Sequence, residues 1–187
     1  MANCYSNIDL NTNKITNLAT PSADTDAATK LTASTAPQHC IECSNTVSGG
    51  TSTNLNSATA VVAELTGTST IVGSSFSVSG NGIQCDFTGV ALFTVNIHTT
   101  SAGSQIICRF RLQRTRSAVT TDIGPFSLCG IMRGTTGIYE GSCHITDIQS
   151  VENGDLFEVT SIQYSAFTTA AYLTAAGTSN FVALRIG

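Results

Sequence analysis

An all-β fold built as an antiparallel sandwich is what this sequence predicts, and three observations predict it. Charged residues make up only 11% of the 187 residues and Trp is absent, while Ser, Thr, Gly and Asn fill the polar positions. The apolar residues lean to Val, Ile and Phe, which suit a pleated, half-buried surface better than a helix. From residue 60 onward the hydropathy pattern alternates with a period of two in short runs, the signature of strands with one buried face. Between those runs stand Gly-centred turn signals, among them Ser79-Gly80-Asn81-Gly82, Ala102-Gly103 and Asn153-Gly154. The length accommodates one domain plus an arm.

The elements follow in order. Residues 1–36 form a polar arm in which Ile8, Leu10, Ile15 and Leu18 are isolated among Asn and Thr. Asn11-Thr12-Asn13 reads as a turn between two short extended pieces, and Pro21 breaks the chain. Asp24 or Thr25 can cap a short helix from Asp26 to Lys30, acid at its start and base at its end. So small a motif buries its apolar residues only against copies of itself or another protein. Residues 37–58, broken by Pro37 and Gly49-Gly50, read as a linker with little secondary structure. Residues 59–187 form the head domain, with strands expected at 60–65, 69–78, 82–87, 90–99, 104–113, 124–132, 141–149, 155–164 and 179–186. In the strand at 90–99, Ala91, Phe93, Val95 and Ile97 share the face that should be buried. Asn153-Gly154 carries the preference of a type I′ hairpin turn. Nine short strands with such turns suit an antiparallel sandwich or jelly roll.

Two segments carry resemblances. Ile8 to Lys30, IDLNTNKITNLATPSADTDAATK, resembles the "NKITNLA…P…A…D…DAATK" element of trimeric fibre proteins of tailed bacteriophages. Asp9, Asn13, Lys14, Ile15, Asn17, Leu18, Ala19, Pro21, Asp24, Asp26, Ala27, Ala28 and Lys30 match its pattern. The usual aromatic-Val-Asp continuation is replaced by Leu31-Thr32-Ala33. The resemblance implies an attachment and trimerisation element carried by Ile8, Leu10, Ile15, Leu18, Pro21 and Asp26. Farther on, Phe87, Gly89 and Phe93 resemble the central signature of the complement/tumour-necrosis-factor-like jelly roll. Val151 to Val159 resembles that family's L-x-x-G-D-x-V-x-V turn and strand, and Asn180 to Leu184 its closing strand, although Ala91 and Leu92 stand where an aromatic is expected. This resemblance implies a core around Phe87, Gly89, Phe93, Phe157 and Phe181, with Gly89 turning the chain into its strand. Jelly rolls of that kind usually assemble as trimers, so both resemblances imply a homotrimer.

Composition narrows the function. A net charge of −4 argues against non-specific nucleic-acid binding, which depends on phosphate neutralisation. No stretch approaches the ~20 apolar residues of a membrane-spanning helix. The N-terminal Met-Ala-Asn-Cys-Tyr-Ser lacks the pattern of a signal peptide, and none of the twelve asparagines begins an Asn-x-Ser/Thr acceptor. Seven cysteines with irregular spacing read as reduced thiols made in a cytoplasm. His39, Cys40 and Cys43 are the one metal-like spacing, yet zinc wants four ligands and no second pair follows; no cofactor or metal is expected. His144 and Asp147, three apart on a strand, point to opposite faces and make a poor half-triad. Glu140, Asp147, Glu152, Asp155 and Glu158 could supply a carboxylate pair for glycoside cleavage.

The run Arg109-Phe110-Arg111-Leu112-Gln113-Arg114-Thr115-Arg116 holds half of all Lys and Arg. Arg109 and Arg111 share one strand face, which is open to three roles: a solvated face, an intersubunit pairing with Glu152 or Asp155, or an anionic ligand. The sequence therefore predicts a non-enzymatic structural virion protein of a tailed phage. It would be a homotrimeric short fibre, spike or capsid-decoration protein, made in the host cytoplasm, held by other virion proteins and displayed at the virion surface. The alternatives are a tip protein that binds a host surface glycan and a glycan-degrading tailspike enzyme.

Overall fold

The computed structural model describes residues 39–46, 53–101, 106–131, 140–164 and 169–186, so the 1–36 element, with Ile8, Leu10, Ile15, Leu18, Pro21 and Asp26, lies outside the described residues. Among the described residues there is no helix, and two antiparallel sheets carry the structure. The first contains β1 (Cys40–Ser44), β3 (Gly67–Val72), β6 (Gly89–Ser101), β9 (Glu140–Val151), β11 (Ala171–Leu173) and β12 (Asn180–Arg185). The second contains β2 (Val61–Val62), β4 (Phe76–Ser79), β5 (Gly82–Cys85), β7 (Ile106–Arg116), β8 (Val119–Ile131) and β10 (Leu156–Gln163). Across the first sheet the order runs β3-β1-β12-β6-β9, and β11 pairs with the last residues of β6. Across the second it runs β4-β5-β10-β7-β8, with β2 on β10.

Alternation on β6 fixes how the sheets meet. Ala91, Phe93, Val95 and Ile97 are fully buried while their neighbours along the strand are half-exposed. Phe93 stacks on Phe157 of the opposite sheet at 4.1 Å and packs 6.0 Å from Phe181 of its own sheet. Phe87 meets Phe76 edge-on at 5.4 Å. Such aromatic pairs contribute ~0.5–1.5 kcal/mol beyond their buried area. Ile41, Ile83, Ile106, Phe110, Leu112 and Val159 complete the middle of the core.

The chain departs from its sequence expectations at five places. The expected linker 37–58 contains β1, which pairs with β12 on one side and β3 on the other, so the head begins well before residue 59. β1 is held because Ile41 and Cys43 face the core while Cys40, Glu42 and Ser44 do not. The expected strand 69–78 is two strands, divided at Gly73, whose positive φ of 74° suits glycine and where an added Cβ would sit 2.6 Å from the His39 ring. β8 starts at Val119 rather than 124, because Ser117 and Ala118 (φ 49° and 63°) close a two-residue hairpin onto β7. Asn153-Gly154 is no hairpin: it joins β9 in the first sheet to β10 in the second, as a four-residue turn with positive φ at Gly154 and an Asp155 N–H to Glu152 C=O bond of 3.0 Å. Gly89 is the first residue of β6, opposite Val151, and makes no left-handed turn.

Candidate functional site: the outer face of the first sheet and its open edge

Register across the first sheet sorts its outward side chains into rows. Val72, Cys40, Leu184, Leu92 and Ile148 stand opposite one another on β3, β1, β12, β6 and β9. This row is apolar from edge to edge, yet Val72 is 43% and Ile148 60% exposed. Two residues along each strand lie Glu42, Val182, Thr94 and Thr146, and two further lie Ser44, Asn180, Asn96 and His144. Nothing in the described chain covers this face. Its apolar members come from alternate positions on strands far apart in sequence, so the period-two pattern of β6 and β12 is the only signal the sequence gives of it.

Beside this face the sandwich has an open edge, where β9 of the first sheet runs past β8 of the second. A groove of about 240 Å³ lies there, between 123–127 and 144–147. A bulge in β8 shapes it: Phe110 pairs with Ser127 and Leu112 with Ile123, so Gly124, Pro125 and Phe126 face Arg111 alone. Gly124 has φ 65°, and an added Cβ would sit 2.9 Å from the Asp147 carboxylate. Ser127 Oγ donates to the His144 carbonyl at 2.9 Å, tying the two edge strands together. Behind the groove are Cys108, directly opposite Cys129, and Cys143 from β9, whose thiol is hydrogen-bonded to that of Cys129. Thr99 Oγ1 lies 3.1 Å from the same sulfur.

The arginines divide into two groups. Cys108, Phe110 and Leu112 point into the core, and Arg109 and Arg111 lie on the other face, their guanidinium carbons 4.5 and 4.2 Å from the Phe126 ring centroid. Arg111 also pairs with Asp122, which accepts a bond from Gln113 at 2.8 Å. Glu152 and Asp155, named above as intersubunit partners for Arg109 or Arg111, are both bound by Arg116 of their own chain. Arg116 Nε and Nη2 donate to the two oxygens of Asp155 at 2.7 and 2.6 Å, and Nη1 donates to Glu152 at 2.6 Å. Asp155 is 1% exposed. Burial pushes its pKa up, but the Arg116 hydrogen bond, the Glu152 N–H and the nearby positive charges outweigh that and hold it below the usual carboxylate range. This latch sits on the turn that carries the chain from one sheet to the other.

The remaining candidates are scattered. Cys40 and Cys43 fall on opposite faces of β1, Cys43 in the core and Cys40 on the outer face, so they cannot bind one ion together. Their spacing read as a turn; on a strand, residues three apart diverge. His39 Nδ1 instead lies 2.6 Å from Ser75 Oγ. His144 is on the outer face of β9 and Asp147 on the groove side, where it accepts the Ile148 N–H at 2.8 Å. Burial lifts the thiol pKa of Cys43 to about 11 and those of Cys85 and Cys108 to about 12. Burial also raises the pKa of Glu158.

No family model and no curated protein matches the sequence. Solved structures share the fold. Murine APRIL is 10% identical, with a TM-score of 0.56 over 80% of this chain and 99% of that chain. Eiger TNF from S. frugiperda is 14% identical, with a TM-score of 0.50 over 81% and 94%. The globular domain of zebrafish complement 1qA protein is 11% identical, with a TM-score of 0.52 over 80% and 98%. At these identities the likeness is one of fold: the head is a complement/tumour-necrosis-factor-like jelly roll.

Proposed function

We propose that this protein is a structural component of a tailed-phage virion, a homotrimer that displays its jelly-roll head at the particle surface and is held there by its N-terminal element. The observation that carries the reading is the uncovered apolar row Val72–Cys40–Leu184–Leu92–Ile148, which spans five strands. A row of this kind on a flat sheet face loses free energy in water and regains it when another surface covers it. A second copy of the chain is the occupant: in a threefold ring each copy packs against the next through a heterologous contact, and the ring closes when three are joined. The likeness of residues 8–30 to phage fibre elements supports both the threefold symmetry and the virion setting. The protein is made in the host cytoplasm, where its thiols stay reduced, and its work is non-enzymatic display.

Sedimentation velocity tests the assembly. The chain should run as one species at three times 19.4 kDa, and Leu92→Glu with Leu184→Glu should reduce it to a folded monomer. A wild-type monomer at micromolar concentration would refute the trimer. Imaging of particles with a specific antibody tests the setting, and removing residues 1–36 should leave a folded head that no longer joins them. A second reading, binding of a host surface glycan, is favoured by Arg109, which stacks on Phe126 and has no carboxylate partner among the described residues. Loss of cell binding by Arg109→Gln with unchanged assembly would support it.

A further inference from the structure

Five side chains on the outer face of the first sheet form one hydrogen-bonded ladder across four strands. Asn180 Nδ2 donates to Glu42 Oε1 at 2.9 Å, and Asn96 Nδ2 donates to Asn180 Oδ1 at 2.8 Å. His144 Nδ1 lies 2.8 Å from Asn96 Oδ1, and His144 Nε2 lies 2.6 Å from Thr146 Oγ1. The direction of the ladder is forced from one end. A carboxylate only accepts, so Asn180 must turn its amide N–H toward Glu42 and offer its carbonyl to the next strand, and Asn96 must do the same. Asn96 Oδ1 therefore accepts a hydrogen bond from His144, which places a hydrogen on Nδ1. His144 Nε2 and the Thr146 hydroxyl share the last bond of the ladder.

The ladder crosses the same face as the apolar row and lies two to four residues from it along the strands. An apolar row alone gives attraction with little register, because apolar burial is non-directional. A polar ladder removes that freedom. Asn96 and Asn180 each spend one amide N–H within the ladder and keep a second. Once a partner excludes water, each remaining N–H must meet an acceptor or lose the solvation it had. Few ways of placing copies against this face satisfy that demand.

We propose that the Glu42–Asn180–Asn96–His144–Thr146 ladder fixes the register and the number of copies in the assembly, while the apolar row supplies its affinity. The inference rests on the self-association reading above. It assigns the ladder the part that a single polar residue plays in an apolar coiled-coil seam, where it selects one arrangement at some cost in stability.

The test compares wild type with Asn96→Val/Asn180→Val and with His144→Leu, using native mass spectrometry and sedimentation over a hundred-fold concentration range. The double variant keeps β-favourable side chains in β6 and β12. His144→Leu removes the far part of the ladder from an edge strand without touching either. A far-ultraviolet spectrum and continued protection of Cys85 and Cys108 from thiol reagent establish that each variant is folded. Both variants should associate at least as tightly as wild type but spread over two or more stoichiometries. Folded variants that still form the single wild-type species would overturn the role of the ladder alone. A monomeric wild type would overturn the self-association reading, and this inference with it.

Discussion

Replacing Asp155 with Asn should cost the head about 3 kcal/mol, and the figure follows from the latch. The carboxylate accepts three hydrogen bonds: 2.7 Å from Arg116 Nε, 2.6 Å from Arg116 Nη2 and 2.9 Å from the Glu152 N–H. An amide offers one acceptor oxygen in place of two, and its NH2 group would face a donor. Breaking one side of a buried ion pair costs ~3–5 kcal/mol. The Arg116 side chain is 30% exposed, so water recovers part of the guanidinium and the lower end of that range applies. Against a total of ~5–15 kcal/mol for a domain the loss is large. The chain has no Trp, so unfolding in urea is best followed by circular dichroism, at fixed protein concentration because assembly adds to apparent stability. With a slope of ~1–3 kcal/mol/M, the midpoint should fall by roughly 1–3 M.

The same site gives a pH dependence of defined sign. Asp155 has a lowered pKa in the fold, so the stability it supplies is complete above the ordinary carboxylate pKa of ~4 and is lost as pH falls toward the depressed value. The variant should therefore show a shallower acid limb. A midpoint within about 0.3 M of wild type, the size of a neutral surface change, would refute the reasoning.

Three further outcomes are expected. Phe93→Ala removes the ring that touches both Phe157 and Phe181 and should cost about 3–5 kcal/mol; a loss under about 1 kcal/mol in the same urea titration would mean that the two sheets do not close on this ring. Ser117→Asn with Ala118→Gly should raise stability by about 1–2 kcal/mol, since both residues hold positive φ that Asn and Gly adopt at lower cost, and a lowered midpoint would contradict it. With thiol pKa values of about 11, 12 and 12, Cys43, Cys85 and Cys108 should react with a disulfide reagent at pH 8 only as the head unfolds, because the thiolate is the nucleophile; prompt labelling of any of them in native protein, located by peptide mapping, would count against the burial.

What the sequence disclosed and what it hid have separate physical causes. The face of β6 was legible because four inward residues alternate without interruption from Ala91 to Ile97. β1 was not, because Ile41 and Cys43 are its only inward side chains and its cysteines suggested ligation. In β8, Gly124-Pro125 looked like the start of a strand, whereas a bulge lets the strand run through them. The Ser117-Ala118 turn carries none of the usual residues for positive φ, and the fold holds it there regardless. Arg109 and Arg111 were placed on their correct face, but Asp122 and Phe126 reach them only through the register of β7 with β8. The ladder was least accessible, since its members lie 48, 84 and 138 residues apart and only sheet order brings them side by side on one face.

The chain enters the first sheet beside the point where it leaves. β1 is antiparallel to β12, and the Arg185 N–H reaches the His39 carbonyl at 2.9 Å. Tension between these two points would open the β1–β12 bonds one after another, like a zip. Tension between His39 and the far end of the head would act along β1, loading its bonds to β12 and to β3 together in shear. The head is therefore mechanically weak when β1 and β12 are drawn apart at His39 and Arg185 and strong when load runs along β1.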